Sequence, residues 1–441
     1  METRRVAKRA PHYLRQLYSS LLGTRDGRRE RLVILGTGWG SYSVLKKVDK
    51  KRFDAIVISP RNHFLFTPLL ASTTVGTLEF RSIIEPVRNT GFRDEHHFHL
   101  SYASDLDTDR RVVHCTSSLD PNHQYEVPYD RLVIGVGADT NHFNIPGVLE
   151  NAFFLKEIAD ARNIRNQIMV NFELATQHDA EPEERRRLLH FVVVGGGPTG
   201  VEFSAEFYDF LAQDLQRLFP DEKDTVRVTL VEANEILSAF DSRLRSYTER
   251  LISKRSAMNI VKAAVTKVAE KAVHLSDGSV LPCGMVIWST GVAPRQFTRK
   301  VSLEKNRQGQ ILVDSHLRVL GDTSGRVFAL GDCAQVEGHT LPCTAQVAER
   351  QGRYLARALS HQHSPASPEP APFVFKPWGM LAYVGGYQAL HDTPYDKSHG
   401  FHSWLLWRSA YTTQLGSWRL RMQVPIDWTK TYFFGRDTSR F

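Results

Sequence analysis

A chain of 441 residues with 56 Lys and Arg against 48 Asp and Glu carries a formal charge of +8. At about 100–200 residues per domain, that length corresponds to roughly three domains, and 41% hydrophobic with 24% charged residues excludes a disordered chain, a fibrous repeat or a bundle of membrane helices. No apolar run reaches the roughly 18 residues of a membrane span. The four cysteines, Cys115, Cys283, Cys333 and Cys343, include no Cys-x-x-Cys pair, which argues against a disulfide framework, a zinc ribbon or a thioredoxin-type motif.

The first 31 residues hold nine basic and three acidic residues, so most of the net charge sits there and the body is nearly neutral. A nucleic-acid protein carries its basic patch on a folded domain, so nucleic acid is not expected as a partner. Residues 1–30 are Arg-rich and acid-poor, with Tyr13, Leu14, Leu17, Tyr18, Leu21 and Leu22 among the charges. They read as a mitochondrial transit segment.

Folded character begins at Leu32-Val33-Ile34-Leu35, a short buried-strand pattern. Gly36-Thr37-Gly38-Trp39-Gly40-Ser41 follows directly, and a second strand, Asp54–Ile58, comes about twenty residues later. Such a turn ends a strand and opens a helix, so its backbone N–H groups can reach a pyrophosphate with no Cβ in the way. Gly36 permits the tight turn, Gly38 the close approach, and Ser41 stands where helix packs on strand. Leu132-Val133-Ile134 is a third strand, and residues 155–190 read as helical and highly charged.

Phe191–Val194 then opens a second strand–turn–helix unit with the full Gly-x-Gly-x-x-Gly pattern at Gly195, Gly197 and Gly200. The next strand ends in Glu232, an acid placed to accept from the ribose hydroxyls and to repel a 2′-phosphate, which predicts NADH over NADPH. The separation of Gly195 from Glu232 exceeds the usual twenty or so residues, so the intervening helix must be extended. Strand-like runs near Val273 and Val286 follow, with Gly291 just beyond counted among the cofactor-binding positions, and then Val327–Leu330. Gly331 and Asp332 come next, a carboxylate on a short turn that can hold the polyol chain of a flavin. Two dinucleotide turns in one chain imply electron transfer between a nicotinamide and a flavin.

Residues 361–372 hold four prolines within eight residues and read as a linker, and five of the seven tryptophans lie in the last 70 residues. Trp404, Trp407, Tyr411, Leu415, Trp418 and Met422 recur at spacings of three and four. That stripe is expected to lie in the bilayer interface as an amphipathic helix flanked by Arg408, Arg419 and Arg421. The competing reading packs it on the flavoprotein core or makes it a homodimer contact. No Asp-x-Asp/Asn-x-Asp/Asn-Gly loop is found, so calcium regulation is not expected.

Taken with Ile58–Leu70 (Ile-Ser-Pro-Arg-Asn-His-Phe-Leu-Phe-Thr-Pro-Leu-Leu), Val75-Gly76-Thr77, Tyr129–Ile134, Gly195–Glu206, Gly331-Asp332-Cys333-Ala334, Ala345–Ala348 and the terminal Phe434–Phe441, these motifs resemble the type II (alternative) NADH:quinone oxidoreductases. The resemblance covers residues 31–441. It implies an α/β fold of two dinucleotide-binding Rossmann-like domains, glutathione-reductase-like, with a C-terminal membrane-anchoring segment. The expected domains are 31–155 and 284–370 for FAD, 156–283 for NADH and 371–441 for membrane association. The implied activity is rotenone-insensitive, non-proton-pumping transfer of electrons from NADH through FAD to a membrane quinone, at the surface of the mitochondrial inner membrane.

By the same resemblance, Gly36, Gly38 and Gly40 approach the FAD pyrophosphate, with Ser59 and Arg61 nearby. Ser59 stands where an acid usually ends the second strand, so the ribose contact is not a carboxylate. Glu202 lies near the nicotinamide and Gln346 marks the quinone side. The family's second Gln, four residues on, is replaced by Arg350, with Gln351 beside it, and all three are expected at the acceptor site. A sulfide:quinone oxidoreductase would need cysteines relaying sulfur beside the flavin, and an apoptosis-inducing-factor-like flavoprotein would be the non-enzymatic alternative.

Overall fold

The computed structural model describes residues 29–90, 95–361 and 370–439. The expected transit segment and most of the proline-rich linker lie outside the described residues. The apolar run Leu32–Leu35 is fully buried, and a strand apolar on both faces belongs at the centre of a parallel sheet. It forms β1 (Glu30–Leu35), followed by α1 (Trp39–Lys47), β2 (Phe53–Ser59), β3 (Phe98–Asp107), β4 (Val112–Ser117), β5 (Gln124–Pro128) and β6 (Arg131–Ile134).

Strand β1 pairs in parallel with β2 on one side and β6 on the other, Leu32 lying opposite both Ala55 and Arg131. A crevice therefore opens beyond Leu35, where the strand order reverses.

The second sheet uses β7 (Phe153–Phe154), β8 (His190–Val194), β9 (Arg227–Glu232), β10 (Met258–Lys262) and β11 (Met285–Trp288), in the order β7-β11-β8-β9-β10 and all parallel. Helix α2 (Ile158–Ala175) leads into this unit and α3 (Pro198–Phe210) follows β8. A π-helical segment, Leu211–Leu215, and a last turn, Gln216–Leu218, prolong α3. This is the extended connection that the long spacing before Glu232 required. Strand β12 (Val327–Ala329) then returns to the first sheet beside β6, and α4 (Ala345–His361) packs on α1.

The expected domain limits move. Strand β11 lies beyond residue 283 and β7 before residue 156, yet both belong to the second sheet. The chain crosses between the units along a two-stranded ribbon, Ala138–Thr140 against Val292–Pro294. An apolar run such as Met285–Trp288 carries no mark of which parallel sheet it will join.

The C-terminal unit is an antiparallel sheet, β13 (Met380–Gly385), β14 (Gln388–Asp392) and β15 (Lys397–Gly400), with helices α5 (Phe401–Gln414) and α6 (Trp418–Phe434). Here the single stripe divides. Trp404 and Trp407 are 8% and 3% exposed and Leu415 is fully buried, whereas Trp418 is 78% and Met422 60% exposed. The chain breaks at Leu415–Ser417, where Ser417 caps the second helix through a bond from Leu420 N. Helical period locates an apolar face but does not say what covers it. The outward face of α6 instead continues through Ile426 to Phe433 and Phe434, with Arg421 and Lys430 beside it. Among the described residues no helix is long and apolar enough to cross a membrane.

Candidate active site

A cleft of about 810 Å³ runs over the carboxyl ends of β1, β2, β6 and β12 and reaches the edge of the second sheet at Trp288. The first glycine turn forms its floor. Gly36 has φ +91°, and a Cβ there would meet Gly135 O at 2.5 Å. A Cβ on Gly40 would meet the Leu330 side chain at 2.1 Å, which ties α1 to the returning β12. Gly38 differs, because a Cβ there would meet nothing within 4 Å. The space beside it belongs to the cleft, and the first amides of α1 face that space. Ser41 is buried and donates to Leu35 O at 2.9 Å, packing against Gly135.

The second turn repeats this plan. Gly195 has φ +108° and a would-be Cβ 2.7 Å from Ser289 O, and a Cβ on Gly200 would lie 2.0 Å from Gly195 O. Gly197 again faces open space. Gly195, Gly197, Gly200 and Glu232 do not line the main cleft, although Thr199, Glu202 and Gly291 do. The Glu232 carboxylate accepts from Gly196 N at 2.7 Å and from Asn234 N at 2.9 Å, which fixes it at the lip of the second turn.

On the first turn's side, Ser59 is buried with its Oγ 3.2 Å from Thr37 Oγ1. Arg61 lines the cleft and pairs with Glu157, whose other oxygen is 3.7 Å from Arg295. Glu157 also closes the capping box of α2 with Asp160, so one carboxylate anchors a helix and two guanidinium groups. Asp332 lines the cleft, with burial pushing its carboxyl up and Lys156 and Arg295 pulling it back. Its turn is braced from behind, since Gly331 N donates to Gln351 Oε1 at 2.7 Å and Gln310 Nε2 to Asp332 O at 3.0 Å.

None of the three residues expected at the acceptor site lines the main cleft. Gln351 is buried behind the Asp332 turn. Gln346 donates to Gly379 O at 3.3 Å and accepts from Trp378 N at 3.1 Å. Arg350 bonds the Lys376 carbonyl and stacks 4.2 Å over the Trp378 ring. Gln346 and Arg350 share a helix face as their spacing demanded, but that face clasps residues 375–379. Thr344, Ala345 and Ala348 line the cleft in their place.

Glu202 lies on the cleft wall and is buried. Burial pushes its carboxyl up to about 8, and the Tyr383 amide donates to it at 3.1 Å. Glu206, Asp209 and Tyr383, buried behind it, were not singled out from sequence. The signal was the spacing 202, 206, 209, which places three acids on one helix face. No disulfide joins the buried Cys333 to the exposed Cys343, and burial raises the Cys333 thiol to about 11. Such a thiol is a poor nucleophile at neutral pH, which does not suit a sulfur relay. Among the described residues no cluster of His, Cys, Asp or Glu could hold a metal ion.

Residues 30–352 match the pyridine nucleotide-disulphide oxidoreductase family, and residues 378–437 match the NDH2 C-terminal domain. The chain is 42% identical over 96% of its length to an internal alternative NAD(P)H-ubiquinone oxidoreductase A1, mitochondrial, of Arabidopsis thaliana, covering 88% of that protein. It is 40% identical over 93% of its length to the external NADH-ubiquinone oxidoreductase 2, mitochondrial, of Saccharomyces cerevisiae, covering 82% of it. A solved structure of NDH2 from Plasmodium falciparum in complex with NADH superposes with a TM-score of 0.89 at 28% identity, over 93% of this chain and 100% of that one. A sulfide:quinone oxidoreductase from Aquifex aeolicus, at 15% identity and TM-score 0.67 over 92% of this chain and 96% of that one, shares the fold alone. Its two glycine turns, the Asp332 return and the C-terminal unit place this chain in the type II (alternative) NADH:ubiquinone oxidoreductase family.

Proposed function

We infer that the chain is an FAD-dependent, non-proton-pumping NADH:quinone oxidoreductase bound to the surface of the mitochondrial inner membrane. The observation that carries this reading is the pair of glycine turns, each with a middle glycine facing open space, set about a cleft walled by Asp332 and Glu202. The relatives' names specify NAD(P)H, ubiquinone and mitochondria, and the Plasmodium structure holds NADH.

The residues fit a dinucleotide in each turn, since a side chain at Gly38 or Gly197 would fill the very space a pyrophosphate needs. FAD held along the Gly36 turn would supply the two-electron relay between nicotinamide and quinone. The chain's own part is binding and electrostatics. The N-terminal amides of α1 and α3 present partial positive charge to the two pyrophosphates. Asp332 accepts from polyol or ring groups in the cleft, and Arg61 and Arg295, held by Glu157, keep that wall cationic. Glu232 accepts from ribose hydroxyls at the second turn and repels a 2′-phosphate.

The membrane surface is the outward face of α6: Trp418, Met422, Ile426, Phe433 and Phe434 with Arg421 and Lys430. Apolar and aromatic groups flanked by cations suit the headgroup boundary. A homodimer contact on the same face is the competing use. Purified protein should carry a flavin spectrum that NADH bleaches and a soluble quinone restores, and a Trp418→Glu/Ile426→Glu variant should keep that chemistry while no longer sedimenting with liposomes. Protein without flavin, or flavin that NADH leaves unbleached, contradicts the activity. Unchanged sedimentation with a halved hydrodynamic mass assigns the face to a dimer.

A further inference from the structure

Quinone reduction by NADH consumes a proton. NADH gives up a hydride, which is two electrons and one proton, whereas quinone takes two electrons and two protons to become quinol. The balance is NADH + H⁺ + quinone → NAD⁺ + quinol, so one proton must come from water in each turnover. The main cleft supplies one exit for that demand at Glu202, and helix α3 leads away from it. Glu206 and Asp209 stand one and two turns further along the same face, and both are buried. They line a second cavity of about 300 Å³ between α3, β13 and the C-terminal helices.

Tyr383 on β13 braces the column at both ends, but only its hydroxyl, at the Asp209 end, can pass a proton. Its amide donates to Glu202 Oε1 at 3.1 Å and its hydroxyl to Asp209 Oδ2 at 2.5 Å. Between them, Glu206 accepts from the Ser72 and Thr77 hydroxyls, each at 2.7 Å. Trp407 lines the second cavity and is 3% exposed, and its ring N–H lies near the Glu202 carboxyl without a hydrogen bond of standard geometry.

The surrounding charges do not neutralise the column. Arg436, from the terminal Gly-Arg-Asp motif, is committed to Asp214 at 2.7 Å and to Thr77 at 2.9 Å. Arg255 faces Asp209 from behind α3, and Arg408 of α5 faces Tyr383 and Glu206. Tyr411 lies against Glu202. Burial accordingly holds all three carboxyls toward their protonated forms.

We propose that Asp209, with the Tyr383 hydroxyl bonded to it, takes up protons from water in the second cavity and that Glu206 passes them along α3 to Glu202, which delivers them at the cleft wall. The proposal rests on the oxidoreductase reading above. In this arrangement each carboxyl accepts a proton on one oxygen as it releases another, so no net charge is left on the column after a turnover.

The test uses the full-length holoprotein with Glu206→Gln, Asp209→Asn and, as the smallest change, Tyr383→Phe. Flavin bleaching by NADH without quinone should stay within twofold of wild type. Turnover with a soluble quinone should fall tenfold or more, with a larger solvent deuterium effect. Infrared spectra of the resting protein give a readout independent of turnover. The carboxylic C=O band that Glu202→Gln removes should shift when Glu206 is replaced. Normal quinone turnover in all three variants, equal slowing of both half-reactions, or an unmoved Glu202 band would overturn the relay. Wild-type flavin that NADH does not bleach would overturn the oxidoreductase reading, and the relay with it. If Glu206→Gln does not fold, Tyr383→Phe reads the same relay at its Asp209 end.

Discussion

The two glycine turns share a backbone plan and differ in what surrounds it. In each, the first glycine adopts a positive φ against a neighbouring loop, Gly135 in one and Ser289 in the other, and the middle glycine faces open space. The third contact then diverges. Ser41 bonds Leu35 O and packs on Gly135, whereas Gly200 packs on Gly195 and the Ser289 side chain; Gly40, one residue before Ser41, packs on Leu330 and ties the first turn to the returning β12. The acids diverge as well. The strand beside the second turn ends in Glu232, bonded to Gly196 N, and the strand beside the first ends in the neutral Ser59, bonded to Thr37. Both phosphate cradles thus lean on distant loops, the first on Gly135 and Leu330 and the second on Ser289, and only the second carries a carboxylate to discriminate a 2′-phosphate.

The largest expected effect separates the outer from the middle glycines. Gly36→Ala combines a positive φ with a backbone oxygen 2.5 Å from the new Cβ, and should cost about 3 kcal/mol or more of stability. A melting temperature within a degree of wild type would show that the turn yields. Because Gly36 lines the main cleft and Gly195 does not, flavin loss should accompany the destabilisation. Gly195→Ala should instead impair NADH binding before flavin content changes.

Next in size is a pH effect at the wall between the turns. Glu202 holds its proton up to about pH 8 in the folded protein, whereas an unfolded Glu releases it near 4.3. Across that window the folded state binds more protons than the unfolded state, so Glu202 makes stability fall as pH rises from about 4.5 to 8. Glu202→Gln should therefore be more stable than wild type at pH 8, by several kcal/mol, with the gain vanishing toward pH 4.5. Denaturant midpoints at both pH values check the sign, and a difference independent of pH would contradict it.

A smaller effect sharpens the contrast in acids. Glu232→Gln should lower the kcat/KM preference for NADH over NADPH by about tenfold, the worth of one charge contact near 1.4 kcal/mol. An unchanged ratio would remove Glu232 from recognition of the ribose. The smallest effect concerns the clasp on α4. Arg350→Ala loses a carbonyl bond and a stacked ring at exposed positions, worth about 1 kcal/mol. It should loosen residues 375–379, seen as faster amide exchange there, while NADH bleaching is unaffected.

Much of this was legible in the sequence because the turns are short-range patterns. Each glycine fingerprint sits between a strand and a helix, and Asp332 stands on its turn whichever sheet the strand before it joins. What escaped was set by contacts far apart in the chain. The stripe from Trp404 to Met422 has a helical period, but the break at Leu415–Ser417 turns its first half onto β14 and its second half to solvent. Gln351 is set one residue around α4 from Arg350, and its bond to Gly331 N, twenty residues back in the chain, could not be read from that spacing. The strand Met285–Trp288 gave no clue that it belongs beside β8, since parallel central strands are all apolar runs.

The division of labour between the turns is tested most directly by filling the two open cradles separately. Gly38 and Gly197 both have extended backbone, with φ −75° and −70°, and a Cβ at either meets no protein atom within 4 Å. Gly38→Val and Gly197→Val should therefore fold. Flavin content and anaerobic bleaching by NADH are then measured on each. The account predicts that Gly38→Val is purified without flavin, and that Gly197→Val keeps its flavin but is bleached only at NADH concentrations at least a hundredfold higher than wild type needs. Flavin lost from Gly197→Val, or retained by Gly38→Val, would contradict it.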